Sequence, residues 1–192
     1  VVNDPALSAS MDVPGLAASA LNGLAHAVEG PLTARANPVS TLSAHAAARL
    51  LVGAFASPDV DREAVALGAL LAGYVIDSTG YGLHHILAQT LARHTPADHA
   101  TSNAILLPHA AEALRRREPD RLGALERALA EPVPDAAARL RARTGAERLR
   151  DVGVEREALE RCADEAAGRP GLDGVAPAPD RDEILALYQA AW

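Results

Sequence analysis

Aromatic residues make up only 3% of this 192-residue chain, and β-branched residues are sparse beside alanine and leucine. Both scarcities argue against sheet and for an all-α architecture, because straight-chain residues lose little freedom in a helix. The chain has one cysteine, Cys162, which excludes an internal disulfide and fits a reducing compartment. It lies in a polar run from Glu160 to Glu165, where a structural role is expected rather than a nucleophilic one. No apolar run approaches the ~20 residues that cross a bilayer, and no basic, then hydrophobic, signal sequence opens the chain. A cytoplasmic protein without membrane contact is expected. Basic residues are also in deficit: 18 Lys and Arg face 25 Asp and Glu, a formal charge of −7. No basic face is evident, so nucleic acid is not an expected partner.

What the sequence does have is punctuation. Asp4-Pro5 and Asp12-Val13-Pro14 disfavour helix, so residues 1–13 read as an extended connector. From there Leu16, Ala20, Leu24 and Ala27 recur at spacings of three and four, predicting a helix to Glu29 that Gly30-Pro31 ends. Asn37-Pro38 opens a second helix to about Ala56. A third, roughly Asp61 to Ser78, is apolar nearly all round and is expected at the centre of a bundle. Gly80 and Gly82 separate it from a histidine-rich helix to Arg93. A fifth runs from Thr101 to Arg117, with Pro108 inside it as a candidate kink. Beyond Pro119, three or four short helices are divided by Pro132, Pro134, Gly145, Gly153 and a loop over Pro170–Pro179. The last helix starts at Asp180, with Glu183 three residues on as in a capping box. The whole of 1–192 reads as a single all-helical domain.

Histidine is the residue type that stands out. Asn22 and His26 lie four apart on one helix face, and His85 and Gln89 repeat that geometry on another. His84 is turned by about 100° from His85, while His99 follows the Thr95-Pro96 break. Two helix faces and a loop can thus converge on one pocket, suited to a metal or to a polar substrate. Taken singly, each histidine has a plainer reading: His45 as a core or boundary residue, His94 as a helix-end or surface residue.

The segments Ala20–Gly30, Gly80–Leu91 and His99–His109, in this order and spacing, resemble three successive motifs of the iron-containing alcohol dehydrogenase superfamily, and most closely its maleylacetate reductase branch. The resemblance extends to Asn3–Leu7, to Arg148–Val154 and to the final helix, and so covers nearly the whole chain. It implies the C-terminal helical domain of such an enzyme, the fold shared with dehydroquinate synthase-like proteins. It also implies site residues. Metal-binding members place an aspartate and three histidines where this chain has Asn22, His26, His85 and His99. Asparagine brings no negative charge, and maleylacetate reductases resemble this chain in having it, so a metal is not favoured. His85, His26 and His99 are then the implied catalytic set, with His85 giving a proton to a carbonyl. Asn22, His84 and Gln89 are implied substrate contacts. Gln89 stands where the family usually has a histidine near the nicotinamide, and Asp98 replaces a proline and is expected to alter the loop or orient His99.

The family's other half binds NAD(P)H through a glycine-rich turn. This chain has no strand, turn and helix unit of that type, so NAD(P)H is expected only if another chain or a missing segment supplies the site. The start at Val1 instead of methionine fits such a division. The alternatives are a free-standing non-redox relative, a dehydratase, isomerase or cyclase using histidine acid–base chemistry, or a binding and interaction protein. Expected partners are a small-molecule substrate and either a second copy or a nucleotide-binding domain, because a helical domain without its partner exposes an apolar face.

Overall fold

The computed structural model describes residues 2–175 and 177–192, without the side chains of 173 and 174. Val1 and Ala176, the latter inside the expected proline-rich loop, lie outside the described residues. Those described form nine α-helices and no strand: α1 Val13–Glu29, α2 Pro38–Gly53, α3 Arg62–Thr79, α4 Leu83–His94, α5 His99–Arg117, α6 Pro119–Leu129, α7 Val133–Arg141, α8 Ala158–Ala167 and α9 Arg181–Ala191. No single helix among them is long and apolar enough to cross a membrane.

Local chemistry sets the helix starts. Asp12 caps α1 by accepting from the Gly15 N–H at 2.9 Å, and Asn37 and Ser40 close a reciprocal capping box on α2. Asp180 accepts from the Glu183 N–H at 2.8 Å, which satisfies one of the four N–H groups a helix start leaves open. The connector is not extended throughout: Asp4 accepts from the Ala6 N–H, and Pro5–Ser8 winds into a 3₁₀ turn. Proline at its first position suits such a turn because the missing N–H would have had no partner. Residues Pro170–Gly174 of the expected loop also form a 3₁₀ turn. The fifth helix begins at His99, two residues earlier than its periodicity suggests, since Asp98 is its cap. It runs through Pro108 without ending there.

The centre of the bundle belongs to α1, α4 and α5. Leu21, Leu24, Ile86, Leu87, Ile105 and Leu106 are fully buried, each stabilising the fold by roughly 1.5–3 kcal/mol relative to an exposed position. The α2–α3 hairpin packs on one side of α1, while α7 and α9 pack against α5 and α8 against α4. Tyr188 of α9 donates to the Leu87 carbonyl at 2.9 Å, fixing α9 against α4.

The expectation of a central third helix fails. Leu67, Leu70 and Tyr74 of α3 are 47%, 40% and 45% exposed. Only the stripe Val65, Gly68, Ala72, Val75 and Thr79 faces inward. An apolar circumference does not say which side is covered; the small residues do. A Cβ on Gly68 would sit 2.8 Å from Leu51 Cγ, so the glycine lets α2 and α3 approach closely. At Gly80, with φ +72°, the chain enters a conformation favouring glycine, and α4 leaves at 98° to α3. That bend carries the start of α4 to the end of α1.

Candidate active site

Where α1 ends and α4 begins, His26 and His85 stack, their ring centroids 4.3 Å apart and their planes inclined by 11°. Glu29, one turn beyond His26, reaches across to α4. Its Oε2 accepts from His85 Nδ1 at 2.5 Å, and its Oε1 accepts from the His84 N–H at 2.6 Å. Gly82 offers α4 no side-chain cap, so a carboxylate from another helix takes that role. It also meets the positive end of the α4 dipole. Glu29 and His85 are both 2% exposed.

A carboxylate can only accept, so His85 Nδ1 carries hydrogen and the ring's other nitrogen faces the site. His85 Nε2, His26 Nδ1 and Asn22 Oδ1 are buried with no partner among the described residues. Asn22 Nδ2 lies 3.3 Å from His26 Nε2. Buried polar atoms are nearly always paired in folded proteins, and three orphans on adjacent side chains mark a place prepared for a ligand.

His84 is directed elsewhere. It is fully buried, and its Nε2 donates to Asn103 Oδ1 at 2.8 Å. Asn103 in turn donates to the His99 carbonyl at 2.8 Å. This places His84 behind the site, edge-on to His85, rather than at its surface. His99 is exposed at the start of α5; its charge makes a small contribution to lowering the pKa of His26, and its own pKa is lowered by burial first and then by His85. Asp98 does not orient His99 by a hydrogen bond: its carboxylate accepts from the Thr101 N–H and hydroxyl, both at 2.8 Å. Gln89 Oε1 accepts from Arg169 Nη2 at 2.8 Å and from the Tyr81 hydroxyl at 3.4 Å. The Tyr81 ring lies 5.7 Å from that of His85.

Burial lowers the pKa of His26 to about 3, helped by the neighbouring charge of His85. His84 also falls to about 3, by burial first and then by His85. For Glu29 burial pushes upward, but the hydrogen bond from His85, the charges of His85 and His84 and the His84 N–H together hold it below the ordinary carboxylate value. At neutral pH the cluster thus holds one buried carboxylate and at least two neutral imidazoles.

A cavity of about 170 Å³ opens beside Glu29, Tyr81 and Arg35, and a groove of about 700 Å³ runs past His45, Leu42 and Arg121. Neither is lined by His26, His85 or His99. Around the His26–His85 pair, Asn22, His26 and Gln89 are half-buried, while Tyr81 and His99 are exposed.

The donors do not fit a tightly held divalent cation. Among the described residues no three His, Cys, Asp or Glu side chains converge on one point. Asn22 is neutral, and both oxygens of Glu29 are taken by α4. Nor do the described residues fit a dinucleotide: with no strand there is no strand–turn–helix cradle, and Gly80–Gly82 merely joins two helices.

Sequence reasoning did not single out Glu29, Tyr81, Asn103 or Arg169. Glu29 had a signal: it is the one charged residue in α1, three positions from His26 and seven from Asn22 on the same face. Arg169 had none, being 80 residues from the Gln89 it touches.

The profile of the Fe-containing alcohol dehydrogenase family, C-terminal part, matches residues 16–192. Maleylacetate reductase of Pseudomonas aeruginosa is 34% identical over 203 residues, covering 100% of this chain and 56% of that protein. A 1,3-propanediol dehydrogenase of Citrobacter freundii is 32% identical over 173 residues, covering 80% of this chain and 45% of its own length. The crystal structure of maleylacetate reductase from Agrobacterium tumefaciens superposes with a TM-score of 0.86 at 30% identity, covering 98% of this chain and 55% of that one. A 1,3-propanediol oxidoreductase structure gives 0.90 at 26% identity, with 98% and 55% covered. The chain spans about half the length of these relatives.

Proposed function

Since this chain belongs to the iron-containing alcohol dehydrogenase family, we propose that it is the substrate-binding, proton-donating part of an NAD(P)H-dependent oxidoreductase similar to the maleylacetate reductases. The observation that carries this reading is the Glu29–His85–His26 arrangement. Reducing a carbonyl, or a double bond conjugated with one, drives an electron pair onto the carbonyl oxygen, which then needs a proton. His85 Nε2 is buried without a protein partner among the described residues, and Glu29 keeps Nδ1 protonated, so the exchanged proton sits on Nε2. His26, stacked against His85 and neutral, positions the substrate together with Asn22. His99 closes the exposed side. Hydride donation belongs to a dinucleotide held outside the described residues, by a nucleotide-binding domain that is the expected partner.

The test is NADH consumption with maleylacetate by this chain joined to, or mixed with, a dinucleotide-binding half. His85→Ala is expected to lose at least ~100-fold in kcat/KM while circular dichroism retains the helical signal. Undiminished turnover would refute the assignment of His85. A parent protein that consumes no NADH would favour the non-redox reading, with the same imidazoles as acid and base.

A further inference from the structure

The chain's departure at position 89 has a structural counterpart. A histidine near the nicotinamide is what the family resemblance implies there, yet the Gln89 carbonyl is occupied by the guanidinium of Arg169 at 2.8 Å. A second guanidinium nitrogen of Arg169 donates to Thr90 Oγ1 at 3.4 Å. Both partners are neutral, so they orient the cation without neutralising it. Arg169 is half-buried, between the end of α8 and the 3₁₀ turn Pro170–Gly174, and Gln89 and Thr90 hold it over the middle of α4. His85 lies one helical turn earlier on the face that carries Gln89, and Tyr81 bridges the two, its ring near His85 and its hydroxyl on Gln89. With its oxygen already taken by two donors, Gln89 has only N–H hydrogens left to offer a ligand. A guanidinium has five donors in a planar fork matched to a carboxylate, and two bonds to neutral oxygens leave that fork with donors to spare.

We propose that Arg169, steered by Gln89 and Thr90, anchors a carboxylate group of the substrate one helical turn from His85. An acid substrate of the kind named above then lies with its charged end along α4 and its reacting end at the His26–His85 pair. This assignment rests on the site reading given above, but it concerns binding and not hydride chemistry.

The experiment titrates the 192-residue chain with glutarate, a plain dicarboxylate, and with its uncharged dimethyl ester, followed by calorimetry or by amide shifts of α4. The parent chain is expected to bind the acid in preference to the ester, and Arg169→Met to weaken the acid at least ~10-fold. Gln89→Glu separates anchoring from mere structural support. The isosteric carboxylate would strengthen the tie to Arg169, keeping or raising Tm, while occupying its charge and expelling glutarate. Equal binding of acid and ester, no binding of glutarate by the parent, or full affinity in the folded Gln89→Glu chain would each overturn the proposal. If Arg169→Met does not fold, Gln89→Glu decides alone. Because the readout is equilibrium binding, an anchor that passes in a protein that never consumes NADH would sink the reductase reading and leave this one standing.

Discussion

Glu29 closes α1 and opens α4: the same carboxylate that accepts from His85 Nδ1 at 2.5 Å accepts from the His84 backbone N–H at 2.6 Å. One side chain therefore fixes the angle between two central helices, the orientation of the His85 ring and the charge behind it. Both partners of the Glu29–His85 hydrogen bond are almost fully buried, where removing one leaves the other without a partner.

Glu29→Ala is accordingly expected to destabilise the chain by about 3–5 kcal/mol, and Glu29→Gln, which can still accept one N–H, by about 1–3 kcal/mol. Glu165→Ala, which unpairs the more exposed Arg93 and His94, should cost no more than ~1 kcal/mol. Urea unfolding of the three variants checks the order. A Glu29→Ala chain as stable as Glu165→Ala would mean that the buried pair does not hold α4.

Acid should weaken the fold through its buried imidazoles. His84 is neutral in the folded chain, its pKa lowered to about 3 by burial and then by His85, whereas the unfolded chain takes up that proton below its ordinary value of 6.5. Between those values the unfolded state binds more protons, so stability rises with pH across the window and is fully present only above it. From neutrality to about pH 4.5 the loss from this one group is ~3 kcal/mol. Urea midpoints at both pH values, in the parent and in His84→Gln, measure it. The drop should shrink by about that amount in the variant, and an undiminished drop would place the acid sensitivity elsewhere.

Much of this was legible from the residues. Proline, glycine and aspartate positions marked the helix starts, since caps and N–H arithmetic act locally, and the four-residue spacings put Asn22 with His26 and His85 with Gln89 on shared faces. What spacing could not supply was direction. An apolar circumference gave no sign that α3 lies at the surface, because that depends on where glycine and alanine permit close packing. Nor do adjacent positions share a role: His84 and His85 point to different helices, and only the crossing of α1 over α4 decides which meets His26. Arg169 became visible only when the fold brought it to Gln89.

Two glycines allow packing and conformation to be told apart. A Cβ at Gly30 would lie 2.2 Å from Val75 Cγ1 and 3.0 Å from Thr79 Oγ1, forcing α3 away from the end of α1 beside Glu29. Gly30→Ala is expected to cost about 1–3 kcal/mol. At Gly73, inside α3, a Cβ meets nothing within 4 Å. Gly73→Ala should therefore gain about 0.5–1 kcal/mol through helix propensity alone. Thermal unfolding of both variants should move Tm in opposite directions. An undiminished Tm in Gly30→Ala would contradict the close contact of Gly30 with α3.

Cys162 supplies a probe of the α8–α9 packing. The side chain is fully buried, and burial, with a smaller push from Glu165, raises its thiol pKa to about 11. Only the thiolate attacks a disulfide reagent, and near neutral pH such a group is ionised some two orders of magnitude less than a free cysteine, before access is considered. Ellman's reagent should leave the native chain unmodified over minutes and label one thiol once urea has unfolded it. In urea below the transition, labelling should track the opening of α8 and α9, and Tyr188→Phe, which removes the bond from α9 to the Leu87 carbonyl, should accelerate it. Rapid labelling of the native parent chain would show that α8 does not cover the thiol.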